Sequence, residues 1–66
     1  MIIHVTAGEE KHDLDMPERA TPFSVITVLG MYPDSVLVLK NGNVMPEDEQ
    51  LSAGDSIELI RIASGG

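Results

Sequence analysis

Glycine, proline and asparagine interrupt this 66-residue chain so often that every helix or strand it forms must be short. Six glycines and four prolines are present, and most of them separate one apolar run from the next. A chain of this length has room for one small hydrophobic core, so we expect a single domain over residues 1–66. The sequence holds no cysteine, which excludes disulfide bonds and thiolate metal sites, so the core must be stable through its packing.

The charge of the chain limits its partners. Eleven acidic and four basic residues give a formal net charge of −7. Such a chain repels phosphate backbones and anionic lipids, so we expect no direct nucleic-acid binding and no membrane association. No apolar run reaches the roughly 18 residues of a transmembrane helix, and residues 1–4 lack the pattern of a signal peptide. The expected compartment is the cytoplasm.

Two alternating runs open the chain. Residues 1–7 alternate as a strand that places Ile3 and Val5 on one face, and residues 11–16 alternate again. A short polar turn that contains Gly8 joins the two runs. This pattern predicts an antiparallel hairpin.

Residues 22–30 are compatible with two structures. Their β-branched side chains favour a strand by propensity. Thr21, however, is a suitable N-cap, Pro22 is tolerated at the first helical position, and Gly30 suits a helix end. These ends favour a short helix. Its predicted apolar face holds Phe23, Ile26 and Leu29.

The second half of the chain predicts three more strands. Residues 36–40 form an apolar run, and Asn41 and Gly42 follow it as the strongest hairpin signal in the sequence. Residues 43–45 then return as a short strand, and residues 56–63 form the last one. A helix after the first hairpin must cross one face of the sheet, which lets the first and last strands pair in parallel. We therefore predict an α+β fold of the β-grasp type, with a mixed sheet of four to five strands and one packed helix.

Catalytic chemistry is not indicated. His4 and His12 match no metal-ligand spacing, even with the help of Asp13 or Asp15, and they are better interpreted as solvated surface residues. The acidic pairs are likewise better explained as solvated turns than as acid–base catalysts. A ligand pocket of roughly 300 Å³ or more would consume most of so small a core. We expect no catalytic residue, no metal, no bound cofactor and no enzymatic activity.

The C-terminal residues Ser64, Gly65 and Gly66 directly follow the last predicted strand. Two glycines have no Cβ atoms, so they can pass through a narrow channel of a partner and deliver the terminal carboxylate to a buried site. Adenylation there would make the carboxyl carbon reactive toward a sulfur or nitrogen nucleophile. The alternative is an expression scar or a frayed end without function.

At this point the sequence resembles the ubiquitin-like sulfur carriers. That family includes the thiamine and molybdopterin sulfur carriers, the bacterial tRNA-thiolation carrier and the archaeal small modifier proteins. The resemblance is good over about residues 33–66, whereas the first half matches mainly in the order and length of its elements. It is carried by residues 35–42, Pro46, Glu47, Asp48, Leu51, Gly54, Asp55, Ile57, Glu58, Ser64, Gly65 and Gly66.

The resemblance implies a carrier that partners act upon. An E1-like adenylyltransferase would use ATP to adenylate the Gly66 carboxylate, and a sulfurtransferase or cysteine desulfurase would supply sulfur for a thiocarboxylate. A downstream enzyme would accept the sulfur for thiamine thiazole, molybdopterin or tRNA thiolation. The alternative is a protein modifier joined to lysines through Gly66, and a third possibility is an interaction module with an inert tail.

The resemblance also implies the binding surface. Aligned from the tail, Ile57 and Leu59 should lie in the core, and Ile60 and Ile62 should face the partner. Ala63 should line the entry to the partner together with Ser64. The alternative for the two partner-facing isoleucines is ordinary packing under the sheet edge. Small size and a free tail favour a monomer.

Overall fold

The computed structural model describes residues 1–62, which form a mixed five-stranded sheet with one α-helix packed on one face. The elements are β1 (Ile2–Ala7), β2 (Glu10–Asp15), α1 (Pro22–Val28), β3 (Val36–Lys40), β4 (Asn43–Val44) and β5 (Ser56–Arg61), with a 3-10 turn over Pro33–Ser35 before β3. The strand order is β2-β1-β5-β3-β4, which confirms the predicted β-grasp fold.

The last strand occupies the centre of the sheet. β1 pairs with β5 in parallel, from His4 opposite Ser56 to Ala7 opposite Leu59. β3 pairs with the other edge of β5 in antiparallel fashion and continues as far as Arg61. The predicted parallel pairing of the first and last strands is thus confirmed, although β5 ends at Arg61 rather than at residue 63.

The hairpin between β3 and β4 has the predicted turn. Asn41 has a φ of 54° and Gly42 a φ of 80°, the two positive values of a type I′ turn. The returning strand covers only Asn43–Val44, but the amide of Met45 still donates to the carbonyl of Val38 over 2.9 Å.

The helix begins where the sequence predicts. Thr21 is its N-cap and Pro22 its first residue. The amide of Ser24 donates to Thr21 Oγ1 over 3.4 Å, and the amide of Thr21 donates to Ser24 Oγ over 3.5 Å. Together these bonds form a capping box. The helix ends at Val28, two residues before Gly30, which has a φ of 74°.

The predicted apolar face of the helix is wrong in one member. Phe23 is 50% exposed, whereas Val25 and Ile26 are fully buried. Leu29 is partly buried against the core, as predicted. The helix is apolar on several sides, so its rotation follows the fit of Val25 and Ile26 to the sheet. The amide of Phe23 meanwhile donates over 3.0 Å to the carbonyl of Glu47, which lies in the acidic connector of residues 47–50 between β4 and β5.

The core lies between the sheet and the helix. Ile57 and Leu59 are 3% and 1% exposed, which confirms their predicted position in it. Leu51 anchors the connector after β4, because its side chain is buried and its amide donates to the carbonyl of Ala20 over 2.8 Å. The buried hydrophobic residues are Ile3, Val5, Met16, Ala20, Val25, Ile26, Val36, Val38, Met45, Leu51, Ile57 and Leu59.

Candidate partner-binding surface

Strand β5 presents different side chains to the two faces of the sheet. Ile57 and Leu59 face the helix, and the alternation of a strand therefore turns Glu58 and Ile60 to the outer face. Ile60 is 38% exposed and Ile62, one residue beyond the strand, is 45% exposed. Within the described part of the chain, both isoleucines are thus accessible to a partner.

Neighbouring strands extend the apolar surface around Ile60. Leu37 lies directly opposite Ile60, and Leu39 lies opposite both Glu58 and Val44. Residues opposite each other in a sheet point to the same face, so Leu37, Leu39, Val44 and Ile60 form one outer apolar patch. Val44 is 65% exposed.

The sequence prediction named Ile60 of this patch but not the other three residues. Alternation along residues 36–40, together with the register that the Asn41–Gly42 turn imposes, could have placed Leu37, Leu39 and Val44 on the same face.

The predicted tail lies outside the described residues. Ala63, Ser64, Gly65 and Gly66 are the residues concerned. The last described contact along the chain is a hydrogen bond of 2.9 Å from the amide of Ile62 to the carbonyl of Ser35. This bond continues the β3–β5 ladder by one residue.

A turn before β5 holds the register of that strand. Asp55 Oδ2 accepts a hydrogen bond of 2.8 Å from the amide of Ser52 and another of 3.1 Å from Lys40 Nζ. The bond from the Ser52 amide and, to a smaller degree, the Lys40 ammonium lower the pKa of Asp55 against the opposing effect of burial. The Asp55 carbonyl in turn accepts from the amide of His4, so the turn is tied directly to β1.

The two histidines lie on the first hairpin and have separate partners. His4 Nδ1 and Asp13 Oδ1, on adjacent strands, are 2.7 Å apart, and His12 Nε2 is 3.4 Å from Glu10 Oε2. Within residues 1–62, no group of three histidine or carboxylate side chains is placed to hold a metal ion. None of the helices in that range is long and apolar enough to cross a bilayer.

Known proteins share features of this chain both in sequence and in fold. A model of the family described as small archaeal modifier protein 2 matches residues 1–63. No curated protein matches. The structure is similar to that of a Caldiarchaeum subterraneum ubiquitin, with a TM-score of 0.75, 22% identity, and coverage of 100% of this chain and 98% of the other.

A second structural relative is a small archaeal modifier protein. Small archaeal modifier protein 1 of Haloferax volcanii has a TM-score of 0.75 and 21% identity over 100% of both chains. Another structure of that protein has a TM-score of 0.73 and 19% identity, with coverage of 91% of this chain and 95% of the other. At these identities the structural likeness establishes the shared fold.

Proposed function

Since this chain belongs to the small archaeal modifier protein 2 family, we propose that it carries sulfur on its C-terminal Gly66 after activation by an E1-like partner. The match of the family model to residues 1–63 is the observation that carries the proposal. The fold supports it, because Ile60 and Ile62, which precede the diglycine by only a few residues in the sequence, are exposed.

The chemistry requires the partner rather than this chain to be the catalyst. A carboxylate is a poor electrophile, so the partner first joins the Gly66 carboxylate to AMP and releases pyrophosphate from ATP. The terminal sulfur of a persulfide on a sulfurtransferase or cysteine desulfurase then attacks the acyl carbon, and AMP leaves as an acyl disulfide forms. A thiol attacks the inner sulfur of that acyl disulfide, forms a disulfide with it and thereby releases the thiocarboxylate. The thiocarboxylate would donate sulfur to a downstream enzyme for thiazole, molybdopterin or tRNA thiolation.

Docking would use the outer apolar patch together with Ile62 and Ala63. Burying exposed apolar side chains against the partner provides binding energy at a distance from the reacting carboxylate. Glycines at positions 65 and 66 would then occupy a channel too narrow for side chains, with Ser64 at its entry.

Conjugation to lysine amines is the second candidate, and the description of the family as modifiers supports it. It shares the adenylation step with sulfur transfer, and only the nucleophile differs. Digestion of proteins that copurify with a tagged copy would reveal glycine–glycine remnants on lysines if this reaction occurs.

The decisive experiment for sulfur transfer is intact mass spectrometry. The protein is incubated with the E1-like enzyme, ATP and a sulfur source, and we expect the mass change of one oxygen-to-sulfur exchange at Gly66. Deleting Gly66 should abolish the exchange while thermal unfolding stays the same. An unchanged mass for the full chain, with a partner shown to be active on another substrate, would contradict the proposal.

A further inference from the structure

Strands β1 and β5 have six residues each, but they are staggered, so β5 extends beyond the end of its parallel neighbour. The pairing of β1 with β5 ends at Ala7 opposite Leu59, whereas the pairing of β3 with β5 continues to Val36 opposite Arg61. Among residues 1–62, the sheet at Arg61 therefore has a strand on one side of β5 and none on the other.

The backbone of Arg61 points toward the open side. The Asp55 carbonyl accepts from His4 of β1, whereas the Ile62 amide donates to Ser35, which directly precedes β3. In a strand whose neighbours lie on both edges, alternate residues direct their amide and carbonyl to opposite edges. Arg61 is separated from Asp55 by an even number of residue steps, so its N–H and C=O point to the same edge of β5 as those of Asp55. That edge faces β1, but the pairing with β1 has already ended at Leu59.

A cleft of about 790 Å³ lies at this edge. The turn between β1 and β2 forms one wall and the end of β5 forms the other. Leu29 and Met31, which follow α1, contribute apolar surface, as does the exposed Ile60 of β5. The cleft is thus an apolar trough with unpaired strand backbone along one wall.

The rim of the cleft is predominantly acidic. Glu9, Glu10 and Glu58 line it, and Arg61 is the one lysine or arginine among its lining residues in the described part of the chain. The other basic group, His12, lies 3.4 Å from Glu10. Charge complementarity therefore favours an occupant with lysine or arginine side chains. A second copy of this chain carries the same net charge of −7 and is disfavoured.

We propose that an extended segment of the activating partner, bearing at least one lysine or arginine, enters this cleft and pairs with the Arg61 backbone as an added strand. Strand addition supplies main-chain hydrogen bonds at an open sheet edge, while the acidic rim selects a basic segment. The inference rests on the proposed function, because it assigns the segment to the enzyme that activates Gly66. It assigns that enzyme a second contact, on the β1 side of β5, which shares Ile60 with the outer apolar patch.

The first test changes one backbone atom. The chain is short enough for total chemical synthesis, so the Arg61 amide can be replaced by an ester that keeps every side chain and removes the N–H donor. Loss of one interface hydrogen bond should weaken affinity for the activating enzyme about threefold to tenfold relative to the all-amide synthetic protein. Thermal unfolding should fall only slightly, because β1 offers that N–H no partner and the ester weakens, without removing, the Ile60 carbonyl as an acceptor in the β3–β5 ladder.

The second test reverses charge on the rim. Glu9→Lys with Glu10→Lys should weaken binding roughly tenfold through repulsion of the basic segment. The matched control is Glu47→Lys with Glu49→Lys, which makes the same change in net charge on exposed positions of the connector after β4. That control should bind within about twofold of the wild-type protein by calorimetry, since surface charges at a distance are screened.

The outcomes separate the two proposals. If the wild-type chain supports ATP–pyrophosphate exchange but either the ester or the rim variant binds as tightly as its control, the cleft is not the site of strand addition and the proposed function stands. If the wild-type chain supports no exchange with an active enzyme, the proposed function fails, and the inference about the cleft fails with it.

Discussion

Asp55 is the single residue on which the geometry around β5 depends most directly. Its Oδ2 accepts from the Ser52 amide and from Lys40 Nζ, and its backbone carbonyl accepts from His4. One side chain thereby joins the turn before β5 to the end of β3, while its backbone joins the same turn to β1. The side chain of Asp55 is only 15% exposed, so water replaces these bonds poorly.

Removing the charge of this residue should destabilise the fold in a pH-dependent way. We expect Asp55→Asn to lower the free energy of unfolding by about 1–2 kcal/mol at pH 7, measured by urea denaturation. The pKa of Asp55 is lowered in the folded state, so its contribution is full above its unfolded pKa of about 4 and disappears as the pH falls through the folded value. The difference between variant and wild type should therefore shrink as the pH falls below the unfolded pKa of about 4. Asp48→Asn, on the exposed connector, serves as the control, and an equal loss in both variants would contradict this role.

Among the elements, the seven-residue helix α1 has the weakest intrinsic support. It has no acidic residue in its first turn and no basic residue in its last, so its macrodipole is uncompensated. Several of its residues are β-branched, which lowers helix propensity. Its stability therefore comes from the buried side chains of Val25 and Ile26 and from the cap at Thr21.

Removing the N-cap of α1 should lower the stability of the protein modestly. We expect Thr21→Ala to lower the free energy of unfolding by about 0.5–1 kcal/mol, near the lower end for N-caps because the capping bonds are long. For a chain of this size that corresponds to a fall in Tm of about 2–8 °C, measured by circular dichroism. Thr27→Ala is the control, since Thr27 is exposed within the helix and alanine is the better helix former. A larger loss in the control would show that the cap contributes little.

The elements differ in how far the sequence could predict them. Turn residues such as Asn41 and Gly42 carry a local requirement for positive φ, so the hairpin and its strands could be located without tertiary information. The rotation of α1 could not be predicted, because apolar residues occur on all sides of so short a helix and only packing decides between Phe23 and Val25. The cleft beside Arg61 was also missed, since it depends on the register between β1 and β5, two strands far apart in sequence.

At the scale of the whole molecule, exposed apolar side chains occur on both sides of the sheet. The outer apolar patch lies on the face away from the helix, whereas Phe23 and Val28 are exposed on the helix itself, at 50% and 60%. The molecule has a net charge of −7, which opposes self-association through either area. A single activating partner that reaches the tail and the cleft beside β5 should cover the sheet face.

One pair of substitutions distinguishes the two sides. We expect Ile60→Asp to weaken affinity for the activating enzyme roughly tenfold or more, because a carboxylate would be buried in an apolar contact. Ile62→Asp should act in the same direction. Val28→Asp is the control, since it adds the same charge at an exposed position on the helix side and should bind like the wild-type protein. Unchanged affinity in both isoleucine variants would place the partner on another surface.

The central position of β5 also determines when this protein can fold during its synthesis. β5 is the last of the described strands to leave the ribosome, yet both β1 and β3 pair with it. Until residues 56–61 have emerged, the β1–β2 and β3–β4 halves of the sheet have no strand between them, and Ile3, Val5 and Val38 lack part of their packing. A parallel pairing between strands so distant in sequence also closes slowly. Nascent and prematurely terminated chains should therefore be substrates for chaperones and proteases, so that cellular quality control removes them before any activating enzyme can bind.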